Sequence, residues 1–307
     1  MNHMGKLNII IRYTAALVVL IIIVLSYLMV PKLVVTLNFM SISLNAPLPS
    51  NYVYVSVYVV SAALVILIAS IPEYGRWRIN NYVTGELPTF IRMIRDGLST
   101  GLTITETVNL TFRQGGVLAR EVGGRIGSSV IGPSELGTAL MGLARELNNR
   151  YLELASIVLE SALRSGTKAA EVLDLAYREI DNVVVNELDK VNSLKPYITL
   201  AYTIIIVYVF LGSVILAILI PRLISTTSTI VSSLPTGLLS FGNLSVNVIN
   251  SLFVYSIMIQ SIFTGMIIGK VVYRNLSVGL MHSSIMTIMA VALNYVLNLY
   301  MPQIMHV

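Results

Sequence analysis

The sequence predicts an all-α, polytopic membrane protein with about five transmembrane helices and a cytoplasmic bundle of about six helices built from two related hairpins. Three observations carry that expectation. The 307 residues are 55% hydrophobic and 11% charged, with a mean hydropathy of +0.80, far too apolar for an ordinary soluble domain. All 15 acidic residues lie between Glu73 and Asp189, so the chain divides into apolar ends and one polar block. Within that block, apolar residues recur at helical spacing on both sides of two glycine turns.

The apolar runs come first. Stretches of roughly 20 apolar residues, the length needed to cross a hydrocarbon core, occur at about 9–30, 52–71, 197–220, 248–269 and 276–300. The first is longer than a signal-peptide core and lacks a clean small-residue cleavage site, so it is expected to be an uncleaved anchor. Three regions follow: a transmembrane pair over 1–72, a polar helical bundle over 73–196, and a second transmembrane region over 197–307. Residues 31–51, punctuated by Pro31, Pro47 and Pro49, are expected to form a loop with some extended structure.

Charge orients these pieces. The polar block holds 14 of the 20 cations against all 15 acids. The net charge of +5 therefore comes from Lys6, Arg12, Lys32, Arg222, Lys270 and Arg274. No concentrated basic domain exists, which removes the main support for nucleic-acid binding. Short cytoplasmic loops carry the excess of Lys and Arg. Lys6 and Arg12 favour a cytoplasmic N-terminus, and the Lys270–Arg274 turn favours the same side. Five crossings then place the polar block in the cytoplasm of a cell (inner or cytoplasmic) membrane protein and the C-terminus outside. Trp77, between Arg76 and Arg78, is the candidate membrane-interface anchor.

The bundle is expected as helices near 87–100, 103–113, 117–127, 134–147, 149–165 and 168–195. Leu87, Phe90, Ile91, Ile94 and Leu98 share one helical face. Gly101 suits the position just past a helix end, where positive φ is needed. Thr103 stands three residues before Glu106, the spacing of a capping box. Sliding the sequence by 65 residues places Leu163 under Leu98, Gly166 under Gly101 and Glu171 under Glu106, which reads as a repeated hairpin. Pro196 predicts a kink or loosened turn in an otherwise continuous helix. The glycine-rich stretch over 115–129 is expected to be the least regular part, and Gly132-Pro133-Ser134 a turn leading into a helix.

Chemistry is conspicuous by what the sequence lacks. It contains no GxxxxGK[ST], HExxH or GxSxG motif. There are no cysteines, so neither disulfides nor thiolate metal sites are possible. The three histidines, His3, His282 and His306, are scattered. No catalytic, cofactor-binding or metal site is expected, and the chain is not expected to be an enzyme. The predicted spans are nearly free of charge, which disfavours solute translocation through them. Gln260, Asn294 and Asn298 are their strongest polar residues, with helix-to-helix hydrogen bonding as the simplest role. Asn243-Leu244-Ser245 is a glycosylation sequon on the expected outer side.

The hairpin LPTFIRMIRDGLSTGLTITETV, the later ALRSGTKAAEVL and a membrane helix following the bundle together resemble the type II secretion system F domain. That domain belongs to inner-membrane platform proteins of type IV pili, type II secretion, tight-adherence pili, and archaeal pili and archaella. The resemblance covers roughly residues 85–220. It implies a non-enzymatic scaffold whose bundle docks a hexameric secretion ATPase and whose membrane part receives pilin-like subunits. One bundle, with two spans before and three after, is like the single-copy tight-adherence and archaeal forms. That arrangement implies pairing with itself or with a second platform subunit, among membrane lipids. Candidate partner-binding residues at or near hairpin turns are Arg113, Arg120, Arg125, Arg164 and Lys168. The alternative is a permease or channel subunit with a regulatory helical domain.

Overall fold

A computed structural model describes residues 3–30, 32–39, 42–49, 51–126, 133–222 and 246–304. Residues 224–245, expected as an outer loop with the Asn243 sequon, lie outside the described residues, as does Gly132 of the expected turn. The described chain is helical apart from its turns and one β-hairpin. Helix α1 spans His3–Leu28, and strands β1 (Lys32–Phe39) and β2 (Ile42–Pro49) pair antiparallel. The extended structure expected within 31–51 is thus a pair of strands over 32–39 and 42–49. The register opposes Leu33 to Leu48, Leu37 to Leu44, Thr36 to Asn45 and Asn38 to Ser43. The remaining helices are α2 (Tyr52–Ser99), α3 (Ile104–Arg113), α4 (Val117–Ile126), α5 (Pro133–Leu147), α6 (Arg150–Arg164), α7 (Ala169–Val214), α8 (Val246–Val271) and α9 (Leu276–Ile304).

The chain forms two compact units, one of residues 1–73 with 194–307 and one of residues 74–193. Among the described residues, four helices are long and apolar enough to cross a membrane: Tyr52–Ser99, Ala169–Arg222, Val246–Val271 and Leu276–Met301. They are consistent with a multi-pass membrane protein. The described apolar part of α1, Thr14–Leu28, is shorter. Pro196 lies inside α7, whose helix continues past it to Val214 and is followed by a π-helical segment over Ile215–Leu219.

The first unit is packed by close backbone approach. Lipid tails are as apolar as leucine, so helices in a bilayer associate through fit rather than water exclusion. Its core joins Val55 and Val59 of α2, Ile205 and Val209 of α7, Val254 and Ile257 of α8, and Met286 and Ala290 of α9. The tightest seam lies between α8 and α9. A Cβ on Gly265 would collide with the Ser283 backbone, and one on Gly269 with the Cα of Gly279. Ser283 Oγ donates to the Ile262 carbonyl across the seam at 3.0 Å. The spacing Ser261-xxx-Gly265-xxx-Gly269 opposite Gly279-xxx-Ser283 is the sequence signal for this seam. Asn275 closes the turn, its amide donating to the Gly269 carbonyl and its side chain accepting from the Ser277 amide. Helix α1 joins through Tyr27, which hydrogen-bonds Tyr255 and meets the Tyr58 ring edge-on at 5.3 Å.

The second unit has its own core of Val83, Leu87, Phe90, Ile91 and Ile94 on α2 against Leu118, Val122, Leu140, Leu143, Leu152, Leu159 and Leu173. The face expected from Leu87 to Leu98 is therefore the face that packs. Helix α4 is regular through Gly123, where an added Cβ would stand 3.7 Å from the Phe112 ring, so the expected irregularity does not extend over 117–126. Replacing Gly269 with valine should destabilise the α8–α9 seam by about 1–3 kcal/mol, the usual cost of overpacking. The thermal midpoint in detergent should fall. Gly75→Ala, at a position with nothing within 4 Å, should leave it unchanged or slightly raised.

Candidate partner-docking unit

The second unit is a set of short helices held at identifiable joints, and the joints fix where its charges stand. Helix α2 ends in a Schellman motif: Leu102 N–H donates to the Gly97 carbonyl at 3.2 Å and Gly101 N–H to the Leu98 carbonyl at 3.1 Å, with Gly101 at φ +85°. The following helix opens on the expected capping box, in which Thr103 Oγ1 accepts from Glu106 N–H while the Glu106 carboxylate accepts from Thr103 N–H. These bonds hold the Glu106 carboxyl below the usual glutamate range. At the second turn Gly166 also has positive φ, +63°, but a 3₁₀ turn over Gly166–Lys168 follows and Glu171 makes no cap. The two turns share the glycine and differ in the cap.

Both glycine turns lie at the same end of the unit. Arg95, six residues before Gly101, bonds Asp174, eight residues after Gly166, at 2.5 Å, and Leu188 packs at 3.8 Å from where a Cβ on Gly85 would stand. Those two contacts make α2 and α7 antiparallel neighbours within the unit. Arg95 also bonds Asp96 at 2.7 Å and lies over the Tyr177 ring at 5.1 Å. Partial burial opposes ionisation of Asp174, but hydrogen bonds from Arg178 and Arg95 hold its carboxyl below the ordinary range. Beside this network, an open groove of about 650 Å³ between α2 and α3 is lined by Arg92, Arg95, Asp96, Thr107, Leu110 and Gln114 among others. Thr107 is buried, and its hydroxyl has no hydrogen-bond partner.

Two other joints close the opposite end. The Glu86 carboxylate accepts from Leu118 N–H at 2.7 Å and so caps α4 from a distant helix. A Cβ on Gly116, at φ +113°, would stand 2.8 Å from that carboxylate, so glycine is required there twice over. Asn149 caps α6 by accepting from Tyr151 and Leu152 N–H, and its amide donates to Asn80 Oδ1 and Thr84 Oγ1, both at 2.7 Å. Asn148 takes φ +51° just before it. Both joints escape a periodicity reading because the partners lie 32 to 69 residues apart in sequence. The Asn148-Asn149 pair between two apolar helical patterns was the available signal.

The five candidate cations divide accordingly. Arg125 is engaged by Glu146 at 2.7 Å, and Arg164 by Glu160 and Ser134. Ser134 and Arg125 line a common cleft, so these two stand on one side of the unit. Arg113, Arg120 and Lys168 are exposed and make no ion pair among the described residues, Lys168 at the Gly166 turn and the other two flanking the turn at 114–116. Exposed Arg92, Arg145 and Arg150 are likewise unpaired and were not singled out in the sequence. Trp77 stacks on Tyr74 at 5.8 Å, beside Arg78 over Tyr82.

The long apolar helices hold two polar clusters. Ser213 donates to Asn294 Oδ1 at 2.9 Å and Asn298 to the same oxygen at 3.0 Å, while Asn294 Nδ2 is buried without a partner. His282 Nδ1 bonds the Tyr202 hydroxyl at 3.0 Å and its ring stacks on Tyr273. No group of three or more potential metal ligands occurs among the described residues. Comparisons with protein-family models, curated proteins and solved structures found no match for this chain.

The depressed Glu106 carboxyl predicts a local pH response. A carboxyl with a lowered folded-state pKa contributes stability that is complete above its unfolded value, ~4.3 for glutamate, and is lost as pH falls through the lower folded value. The protection of the Thr103 and Glu106 amides, relative to their intrinsic exchange rates at each pH, should therefore fall below about pH 4. Glu106→Gln, whose amide oxygen still accepts, should remove that pH dependence.

Proposed function

We propose that this chain is a non-enzymatic membrane platform of a type IV pilus-like filament assembly or secretion machine. Its bundle docks a hexameric cytoplasmic ATPase and couples it to polymerisation of pilin-like subunits held in the membrane. The observation that carries the reading is a charged, helical unit with two glycine-turned hairpins, set in sequence between strongly apolar helices. The absence of phosphate-loop, zincin and nucleophile-elbow motifs from the sequence fits a scaffold whose chemistry resides in its partner. In this reading α1 is a fifth crossing, the N-terminus and residues 74–193 are cytoplasmic, and the C-terminus is outside. The chain works as a homodimer or beside a second platform subunit.

The ATPase-facing surface is assigned to the Gly101 and Gly166 turns. Lys168 and Glu171 stand there without ion pairs among the described residues, whereas Arg125 and Arg164 are engaged within the unit. Rim charges set partner choice and encounter rate more than bulk affinity. A second reading, a permease or channel subunit, draws on the buried Ser213–Asn294–Asn298 cluster. Solute flux in liposomes that stops on Asn294→Leu would favour it.

Crosslinking in native membranes followed by mass spectrometry tests the platform directly. A secretion-type ATPase should be recovered, and Lys168→Glu with Glu171→Lys should lower its yield by about tenfold, as reversed rim charges do at steered interfaces. Recovery of no ATPase from repeated crosslinked preparations would overturn the proposal.

A further inference from the structure

Four buried side-chain atoms of the first unit have no hydrogen-bond partner among the described residues: Asn250 Oδ1, Ser261 Oγ, His282 Nε2 and Asn294 Nδ2. A polar atom left so in an apolar interior carries its full desolvation cost, which native proteins rarely accept. Ser261 has a remedy in its own helix, because its hydroxyl rotates and the Ile257 carbonyl lies one turn back. His282 stands apart, near the α8–α9 turn. The two asparagines have no such remedy. Asn294 is 0% exposed, and its Oδ1 already accepts from Ser213 Oγ and Asn298 Nδ2. Exchanging its oxygen and nitrogen would set donor against donor at Asn298, so the orientation is fixed and Nδ2 needs an acceptor elsewhere.

The register of the seam brings the two asparagines to neighbouring turns. Gly265 stands against Ser283 and Gly269 against Gly279. Between antiparallel helices each step along one is a step back along the other. Carried toward the far ends, the register therefore sets Val254 opposite Asn294 and Asn250 opposite Asn298. Those ends stay packed, since Val254 and Ile257 share one core with Ala290 and Val291. Asn250 is itself 5% exposed and Val254 0%. Asn250 and Asn294 thus lie one turn apart on facing helices, a step of about 5–6 Å. Two hydrogen bonds in series, each ~2.9 Å, cover that step.

We infer that one buried water molecule bridges α8 and α9 here, accepting from Asn294 Nδ2 and donating to Asn250 Oδ1. The chemistry of the pair selects it. A hard metal cation takes oxygen ligands and would be repelled by the Asn294 N–H, and an anion would be repelled by the Asn250 carbonyl oxygen. Water both accepts and donates, which is what a facing donor and acceptor require. Through Ser213 on α7, which bonds the same Asn294, the water ties three helices together. Close backbone approach fixes the glycine end of the seam. At the other end Val254 and Ile257 are too large for such approach, and the bridged amides fix the register instead.

The test uses the full chain in nanodiscs, in a structure that shows ordered waters. A density peak should lie within hydrogen-bond reach, ~3 Å, of both Asn294 Nδ2 and Asn250 Oδ1. A direct bond between the two amides, or no peak joining them, overturns the inference. The thermal midpoint supplies a second readout. Asn250→Leu alone should lower it by roughly 2–4 °C, as loss of one buried hydrogen-bonded link does in a chain of this size. In an Asn294→Leu background the water has already lost its donor and Asn250 Oδ1 is the atom left unpaired. Asn250→Leu should then leave the midpoint unchanged or raise it. Ser261→Ala should change little in either background. Equal falls on Asn250→Leu in the two backgrounds would show that the amides act independently, and would also overturn the inference.

Discussion

The constraint on which the rest depends is that backbone amides and carbonyls inside hydrocarbon have no water to bond. A spanning segment must therefore satisfy them internally, as a helix does. Helices α2 and α7 meet that requirement over their apolar stretches and then continue as helix through charged sequence. Neither needs a flexible linker where its composition changes.

Within each unit a different force does the holding. In the apolar unit the α8–α9 seam relies on glycine, because only the absence of a Cβ lets Gly265 and Gly269 meet Ser283 and Gly279. In the polar unit water exclusion drives a core such as Leu87, Phe90 and Leu140, and a few buried or half-buried polar groups set its register. Asn149 is 5% exposed and uses both ends of its amide, so its cap is also a cross-link to α2. The Arg95 network is more exposed, and surface ion pairs are worth only ~0–1 kcal/mol each. Its contribution is to pin the order of α2 and α7 rather than to supply much stability.

Much of this was legible in the sequence, for reasons that can be named. Helical periodicity marked the packed face from Leu87 to Leu98, and glycine chemistry marked the turns at Gly101 and Gly166. The Thr103–Glu106 cap was legible because capping is local. Three features were not. The pairing of strands 32–39 and 42–49 was legible only as some extended structure, its prolines obscuring the rest, although alternation in LVVTLNF is a strand signal. The α8–α9 seam was hidden in uniformly apolar sequence, where periodicity is silent and only small-residue spacing speaks. The sorting of cations into engaged Arg125 and Arg164 and unpaired Arg113, Arg120 and Lys168 depends on partners brought together by folding.

The claim most exposed to disproof is that the polar unit lies on the cytoplasmic side, where a motor could reach it. The chain has no cysteine, so single cysteines can be introduced at Lys168 and Asn38 and labelled with an impermeant maleimide in sealed vesicles of known orientation. The account predicts labelling of position 168 from the cytoplasmic face alone and of position 38 from the outer face alone. Labelling of position 168 from outside would place the bundle beyond the reach of any cytoplasmic ATPase and contradict the platform assignment.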